Sequence, residues 1–300
     1  MADRIGIDLG GTKIEIAVLD AKGAIILRRR VDTPAGDYAA TVETIGVLVE
    51  GLERARGGRA TVGIATPGAA SLATGLMKNA NSTCLIGRPF KSDLEARLDR
   101  EVRIANDANC FALSETIDGA ARGAGIVFGV ILGTGVGGGV VVGNRVLHGA
   151  NAIAGEWGHN PLPLPEGEDL PLRACYCGRA GCIETYLSGP AIAADHARAT
   201  GVSLDAAAIA NCAQEGDGNC EATISRFESR LARSLAGVIN ILDPEVIVMG
   251  GGLSNIARLY TRVPLLWARH VFSDDVRTRL VAPKHGDSSG VRGAAWLWPA

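Results

Sequence analysis

The sequence lacks any block of like charge. Its formal net charge is −2, and the lysines and arginines are scattered along the chain, so no basic stripe is available for a nucleic-acid backbone. It also lacks space for a signal peptide, because residues 1–4 lead directly into a strand-like run that starts at Ile5. We therefore expect a cytoplasmic protein that does not bind nucleic acid.

The sequence lacks a membrane span, although residues 123–143 are uncharged and long enough to suggest one. Two runs rich in β-branched residues, at 126–131 and 140–142, flank a glycine-rich segment at 133–139. This pattern is typical of two buried strands around a turn rather than of a membrane helix. No membrane partner is expected.

The length of 300 residues and the 47% hydrophobic content predict two domains. Two copies of a three-strand meander with added helices predict a duplicated α/β fold with a mixed sheet in each half. We expect an N-terminal domain at 1–118, a C-terminal domain at 119–287 with a loop at 155–184, and a helix at 288–300 that returns to the first domain. The predicted strands are 5–8, 14–19, 24–30, 62–65, 102–105, 126–132, 137–142, 146–147 and one that opens the strand–glycine unit 246–253.

Asp107 lies where an apolar strand-like run stops and a helix-like run begins. A carboxylate at a strand end can accept a proton from a substrate hydroxyl, and nearby glycine turns can bring backbone N–H groups against the phosphoryl group which that hydroxyl attacks. The pattern indicates the catalytic base of a kinase. The alternative is an aspartate that caps the helix starting at Ala108.

Glycine turns in both halves of the chain could hold nucleotide phosphates. The first, at 8–13, differs from the usual phosphate-binding fingerprints because a strand rather than a helix follows its glycines. The second lies at 133–135, and a glycine segment at 250–252 follows another strand. Each could instead be a tight turn in which glycine permits positive φ. The candidate nucleotide-binding residues are Asp8, Gly10, Gly11, Thr12, Lys13, Gly133, Thr134, Gly135, Gly251 and Gly252.

Asp8 is a candidate ligand for Mg²⁺. It ends the first strand and faces the first glycine turn, where hard carboxylate oxygens can hold the cation directly or through water. The alternative is an aspartate that caps the turn.

One imidazole and three thiols lie in a short, loop-rich stretch, at His159, Cys175, Cys177 and Cys182. These ligand types predict a tetrahedral Zn²⁺ site, which is structural because four protein ligands leave no open position. The alternatives are a redox pair of Cys175 and Cys177, or buried free thiols. Seven cysteines without an export signal argue against a disulfide framework.

Two carboxylates flank this cluster, since Glu156 precedes it and Glu184 follows it by two residues. Zinc would stiffen the loop that carries them, which suits carboxylates that accept hydrogen bonds from several sugar hydroxyls. Glu184 could instead be a solvated residue at the start of a helix.

Taken together, these motifs resemble the ROK family of bacterial sugar kinases, within the actin-like, hexokinase-like ATPase superfamily of duplicated ribonuclease H-like domains. The resemblance covers the chain from end to end and rests on segments 8–13, 106–107, 131–139, 155–159, 175–184 and 250–252. It implies Asp107 as the base and the glycine turns as the site of ATP and Mg²⁺. It also implies a sugar site of Asn81, Asn106, Glu156, His159 and Glu184, and a zinc site of His159, Cys175, Cys177 and Cys182.

Segments 78–83, 155–163 and 284–299 look most like the fructokinase, or manno(fructo)kinase, branch of this family. The resemblance implies an ATP:D-fructose 6-phosphotransferase, with mannose, glucose or N-acetylglucosamine as alternative substrates. Ala65 stands where the family commonly has glycine, and its methyl group could narrow the approach to the sugar. Related sugar-sensing repressors carry an N-terminal DNA-binding module, whereas here the sheet is expected to start by residue 4. The oligomeric state stays open, with a homodimer as one option.

Overall fold

Two mixed sheets organise the computed structural model, which describes residues 3–80 and 82–299. The strands of the first half are β1 (Arg4–Leu9), β2 (Lys13–Leu19), β3 (Ile25–Asp32), β4 (Thr61–Thr66), β5 (Ala69–Ala70), β6 (Met77–Lys78) and β7 (Val102–Asn106). Those of the second half are β8 (Ile126–Leu132), β9 (Val136–Val142), β10 (Arg145–Val146), β11 (Val246–Gly250) and β12 (Arg279–Val281).

Helices follow or separate these strands. They are α1 (Tyr38–Arg56), α2 (Phe90–Leu98), α3 (Asp107–Ile117), α4 (Glu184–Leu187), α5 (Gly189–Thr200), α6 (Ala206–Gln214), α7 (Gly218–Leu242), α8 (Leu259–Trp267) and α9 (Ser289–Trp296). Among the described residues, no helix is both long and apolar enough to cross a bilayer.

The two sheets have the same design. The first has the order β3-β2-β1-β4-β7, in which β1, β2 and β3 are antiparallel while β4 and β7 run parallel to β1. The second has the order β10-β9-β8-β11-β12, in which β10 is antiparallel to β9 while β11 and β12 run parallel to β8. The predicted α/β class, with a mixed sheet in each half, is confirmed.

The chain divides into two compact units whose boundaries differ from those expected at residue 118. The first unit contains the described residues up to Gly123, then Gly139–Ala154 and those from His285 onward, and the second contains Ala124–Gly138 and Gly155–Lys284. Residues 119–123, 139–154 and 285–287 thus belong to the first unit. The boundary falls inside β9, and a strand interior gives no compositional signal of a boundary.

The local sequence determines where helix α1 of the first unit begins and ends and which of its faces is buried. The Asp37 side chain accepts a hydrogen bond from the Ala40 N–H and caps the start, while Gly57 ends the helix with a φ of 80°. Between them Ile45, Val49 and Leu52 are buried in the core of the first unit. Val42, Ile45, Val49 and Leu52 follow one another at three- and four-residue steps, so the sequence itself predicts one buried helix face between residues 38 and 56.

Helix α9 packs on the first unit at unusually short range. A Cβ atom on Gly6 of β1 would lie 1.9 Å from the Val291 carbonyl oxygen, and one on Gly63 of β4 would lie 1.8 Å from that of Ala294. Glycine is required at both positions because any side chain would displace the helix. This contact fixes the start of α9, where Gly290 lies beside Asp8.

Candidate functional site

Asp107 is the first residue of α3 and directly follows the end of β7. The helix is capped by its neighbour, because the Asn106 side chain accepts a hydrogen bond of 2.8 Å from the Asn109 N–H. The capping explanation for Asp107 is thus wrong. Its Oδ1 accepts from the Ala108 N–H at 2.8 Å.

The surroundings of Asp107 favour a basic carboxylate. Its side chain is exposed to solvent, yet dense protein around it limits hydration of the charge and raises the pKa of the carboxyl above its usual range. The hydrogen bond from Ala108 acts in the opposite direction and is the smaller effect. A carboxylate with a raised pKa is a stronger proton acceptor.

Asp8 lies in the same region of the first unit. Burial, together with the negative charges of Asp107 and Glu15, raises the pKa of its carboxyl to about 7. Gly290 of α9 leaves room for the group, since a Cβ there would lie 2.2 Å from Asp8 Oδ2. The fold therefore brings Asp8 and Asp107 together as two interacting carboxylates, an arrangement suited to a shared proton or a divalent cation.

The first glycine turn connects β1 to β2 with its backbone open to solvent. Gly10 N donates to the Lys13 carbonyl oxygen at 3.0 Å, and Thr33 Oγ1 donates to the Gly10 carbonyl oxygen at 2.8 Å. The hydrogen bond between Gly10 and Lys13 closes the turn through the backbone. The Asp8 side chain is therefore not needed to cap it. Gly11, Thr12 and Lys13 are exposed and available to a ligand.

The second glycine turn lines a cavity in the second unit. Gly133 and Thr134, together with Gly252 after β11, border a space of about 620 Å³. This volume falls in the range of small-molecule and cofactor pockets. Gly251 does not border the cavity but is needed beside it, because its φ is 80° and a Cβ would lie 2.3 Å from the Leu132 carbonyl oxygen.

Much of the cavity wall comes from residues that the sequence analysis did not identify. The start of α5 contributes Gly189 and Pro190, and α6 contributes mostly alanines with the amides of Asn211 and Gln214. The wall is completed by residues around Gly252, including Asn255 and Ile256. Alanine-rich helices carry no motif for ligand binding, so the only signal in the sequence was the helix cap at Asp205, which accepts from the Ala208 N–H at 2.8 Å.

His159, Cys175, Cys177 and Cys182 form the predicted cluster, with ligand atoms within 4.8 Å of one another. Cys175 Sγ lies 3.6 Å from His159 Nδ1, and Cys177 Sγ lies 3.6 Å from Cys182 Sγ. Tetrahedral zinc with bonds of about 2.3 Å to sulfur and about 2.0 Å to nitrogen separates its ligands by about 3.6–3.8 Å. The donor set and the spacing therefore fit Zn²⁺, and the cysteines are free thiols rather than disulfides.

The His159 ring is engaged on both sides. While Nδ1 faces the thiols, Nε2 lies 3.0 Å from the Tyr176 hydroxyl, and the two rings meet edge to face at 5.2 Å. A partner on the second nitrogen fixes the orientation of a metal-bound imidazole. The geometry supports the metal role of His159 more directly than its expected role in sugar binding.

Glu184 is not a solvated residue at a helix start. Although α4 begins with it, its Oε2 accepts a hydrogen bond of 2.8 Å from the Val136 N–H. A Cβ on Gly135 would lie 2.7 Å from the same oxygen. This carboxylate thus supports the second glycine turn, a contact between distant segments that no local pattern predicts.

The remaining candidates lie as follows. Glu156 is exposed and lies immediately before a single turn that contains Trp157, whose indole N–H donates to the Gly137 carbonyl oxygen at 2.9 Å. Asn106 is in the first unit beside Asp107. Asn81, expected to contact the sugar, lies outside the described residues.

Comparisons with known proteins agree with these features. The model of the ROK family matches residues 4–300. The chain therefore belongs to the ROK family.

Among its relatives, the N-acetyl-D-glucosamine kinases of Salmonella newport and Salmonella typhimurium are 40% identical over 296 residues, covering 97% of this chain and 98% of theirs. Of the solved structures, a ROK hexokinase from Thermus thermophilus has a TM-score of 0.86 at 31% identity, with 98% of this chain and 97% of that chain covered. A ROK glucokinase from Streptomyces griseus, in complex with glucose and AMPPNP, has a TM-score of 0.75 at 29% identity and covers 98% of both chains. The hexokinase-like fold is confirmed.

Proposed function

We propose that this protein is an ATP-dependent kinase that transfers a phosphoryl group to N-acetyl-D-glucosamine. The observation that carries the proposal is 40% identity, over 97% of the chain, to N-acetyl-D-glucosamine kinases. The use of ATP is supported by the likeness to a ROK glucokinase that binds glucose and AMPPNP. The paired carboxylates and the cavity supply the chemistry which that reaction needs.

D-Fructose is the second candidate substrate. Segments 78–83, 155–163 and 284–299 favour D-fructose, whereas relatives at 40% identity are N-acetyl-D-glucosamine kinases. Sugar selectivity in a kinase depends on a few contacts, each worth about 1–3 kcal/mol, so a direct comparison of sugars decides between the two candidates. Mannose and glucose remain the further alternatives.

Asp107 acts as the base in this proposal. Its raised pKa makes it a competent acceptor for the proton of the sugar's terminal hydroxyl, and Asn106 fixes the helix start that holds it. Most of the catalysis is the positioning of the hydroxyl against the phosphoryl group. The sugar itself is held by Asn81, Asn106, Glu156, His159 and Glu184 in this proposal.

The cavity in the second unit takes the nucleoside, and the glycine turns at 10–13 and 133–135 present backbone N–H groups to the phosphates. Glu184 keeps the second turn in place through the Val136 N–H. Mg²⁺ would neutralise phosphate charge when bound, and the half-buried Asp8 carboxylate has the hard oxygen donors that suit it.

Zinc in this proposal is structural. His159, Cys175, Cys177 and Cys182 would hold it with no open coordination position, so it would stiffen the loop between Glu156 and Glu184. The residues it orders are then the two expected sugar ligands on either side.

Release of ADP from ATP, measured with each of N-acetyl-D-glucosamine, D-fructose, D-mannose and D-glucose, tests the proposal. We expect the highest kcat/KM with N-acetyl-D-glucosamine and a requirement for Mg²⁺. A higher kcat/KM with D-fructose would instead support the second candidate. No sugar-dependent ADP release from folded, zinc-containing protein would overturn the kinase assignment.

A further inference from the structure

A smaller cavity of the second unit shares no lining residue with the one beside the glycine turns. Its volume is about 210 Å³. Pockets for drug-sized molecules and cofactors have volumes of about 300–1,000 Å³, so this cavity suits a small ion or a compact polar group. It is bordered by the loop segment 166–169 and by four residues of α7, namely Arg226, Ser229, Arg230 and Arg233.

Helix α7 directs three arginines towards this cavity. Arg226, Arg230 and Arg233 follow one another at steps of four and three residues, which places them on one face of the helix. Arg230 and Arg233 are only 2% and 5% exposed, whereas Arg226 is half-buried. Buried arginines require acceptors for several N–H groups each, because the guanidinium carries five donors.

Two of these buried donors have no acceptor. Arg230 Nε donates to Asp169 Oδ1 at 2.6 Å, and Arg233 Nη2 donates to Asp169 Oδ2 at 2.8 Å. Among the described residues, Arg230 Nη2 and Arg233 Nε are buried without a hydrogen-bond partner. A buried charged donor without an acceptor is costly, so the cavity selects a ligand that accepts hydrogen bonds.

Positive charge exceeds negative charge around the two buried carboxylates of this cluster. Asp169 is shared by Arg230 and Arg233. Asp195 is shared by four arginines, at positions 173, 198, 226 and 230. Two carboxylates thus serve five guanidinium groups. A water molecule can satisfy a donor but leaves the surplus charge, whereas an anion offsets both.

Two exposed glutamates that border the cavity supply the remaining negative charge. Glu168 Oε2 lies 2.8 Å from Arg226 Nε, and Glu166 Oε1 lies 3.9 Å from Arg233 Nη1. The side chains of Glu168 and Glu166 are 61% and 81% exposed, so these ion pairs are solvated and weak. A phosphate group has more acceptor oxygens than a carboxylate and a higher negative charge, and it can therefore displace Glu168 from Arg226.

We propose that this cavity is a binding site for a phosphate group, held by Arg226, Arg230 and Arg233 in place of the Glu168 carboxylate. The group is either inorganic phosphate or the phosphate of a small monoester, because both present the same oxygens to the guanidinium donors. The cavity shares no residue with the proposed ATP, sugar and zinc sites, and the proposal does not depend on the proposed function.

Isothermal titration calorimetry of inorganic phosphate into the zinc-containing full chain, without ATP, sugar or Mg²⁺, tests the proposal. Arg226→Gln should raise the Kd at least about tenfold, since it removes a charge-assisted hydrogen bond. Glu168→Gln should lower the Kd several-fold, since it removes the carboxylate that competes for Arg226. These opposite changes distinguish this cavity from phosphate binding at the glycine turns.

The matched control is Arg198→Gln. Arg198 also lies 2.7 Å from Asp195, so the variant loses the same charge and an ion pair to the same carboxylate, but Arg198 does not border the cavity. Its Kd for phosphate should equal that of the unchanged protein. Zinc content and circular dichroism show that each variant keeps its fold, and the exposed Glu168 provides a test even if Arg226→Gln does not fold.

Glucose 6-phosphate, titrated in the same way, separates the two sources of the phosphate group. If its Kd is lower than that of inorganic phosphate and depends in the same way on Arg226 and Glu168, the ligand is a phosphate monoester. If its Kd is higher, the ligand is free phosphate. Absence of binding of both probes at millimolar concentration would overturn the proposal, as would Kd values that Arg226→Gln and Glu168→Gln leave unchanged.

Discussion

The two glycine turns occupy equivalent places in sheets of the same design, yet their surroundings differ. In the first sheet the penultimate residue of β1, the strand that leads into the turn, is Asp8, which pairs with Ala65 of β4. In the second sheet the equivalent residue is Ile131, which pairs with Gly250 of β11. The first turn thus receives its carboxylate from its own strand, whereas the second receives Glu184 from a distant segment.

The two units therefore differ in what surrounds their glycine turns. The first unit gathers Asp8 and Asp107, whose pKa values are raised by the surrounding protein, and these are the groups that we propose as cation ligand and base. The second unit surrounds its turn with small residues and a cavity, and so provides space for a ligand. A repeated backbone can therefore carry different chemistry when one strand position changes from an acid to an aliphatic residue.

The largest effect is expected at Asp107. Asp107→Asn keeps the shape and the hydrogen bond from Ala108 but removes the base, so kcat should fall by about a hundred- to ten-thousand-fold. The KM for the sugar should change little. Steady-state ADP release measures both quantities.

The control for this change is Asp99→Asn. Asp99 is an exposed residue at the end of α2 with positive φ, a conformation that asparagine tolerates well. Its kinetics should match those of the unchanged protein. A kcat for Asp107→Asn near that of the unchanged protein would contradict the assignment of Asp107 as the catalytic base.

Loss of zinc should disturb the second unit next most strongly. Cys182→Ser removes a buried thiol from the cluster, so zinc content should fall to a small fraction of one ion per chain. The melting temperature should fall by about 6 °C, as a loss of about 3–4 kcal/mol does in a chain of this size. Cys84→Ser, outside the cluster, is the control, and equal zinc content in the two variants would show that no metal site exists there.

The pH dependence of stability should report Asp8. In the folded protein this carboxyl keeps its proton up to a pH of about 7, whereas an unfolded aspartate releases it near pH 4. The folded state binds more protons between these values, so the stability that Asp8 contributes is present below pH 4 and is lost as pH rises through about 7.

Urea denaturation in magnesium-free buffer measures this effect. Asp8→Asn should remove a decline of the order of 3–4 kcal/mol between pH 4 and pH 7, because each unit of pKa shift corresponds to about 1.4 kcal/mol. Asp99→Asn should keep the decline. An unchanged pH profile for Asp8→Asn would contradict the proposed interaction between the two carboxylates.

The smallest effect is expected at the second turn. A methyl group in Gly135→Ala would lie 2.7 Å from Glu184 Oε2 and should break the hydrogen bond from Val136. The KM for ATP should rise about tenfold, since a lost hydrogen bond to a charged group costs about 1.5 kcal/mol, while kcat should be retained. Gly58→Ala, where nothing lies within 4 Å of the added methyl group, is the control. A fall in kcat without a change in the KM for ATP would contradict the proposal that the second turn serves to bind ATP.

Patterns within short stretches of the sequence predicted features that depend on neighbouring residues. The apolar spacing in α1 gave its bounds, and the change from apolar strand to helix located Asp107 at the end of β7. The cluster of His159, Cys175, Cys177 and Cys182 followed from residue type and spacing, because all four lie in one short stretch of sequence.

The parts that were not predicted depend on distant segments. The hydrogen bond between Glu184 and Val136 joins residues that are 48 positions apart in the sequence. Part of the cavity wall consists of alanines in α6, which line the cavity only because of where the fold places them. β5, β6 and β12 have two or three residues each, which is too short for a period to be read. The domain boundary inside β9 was missed because a strand interior looks alike on both sides.

The most direct test of the account is a ³¹P NMR time course of the protein with Mg²⁺, ATP and N-acetyl-D-glucosamine. We predict that ADP and a sugar phosphate appear in equal amounts with the unchanged protein, and that Asp107→Asn forms neither at a comparable rate. Formation of ADP and inorganic phosphate without any sugar phosphate would contradict it.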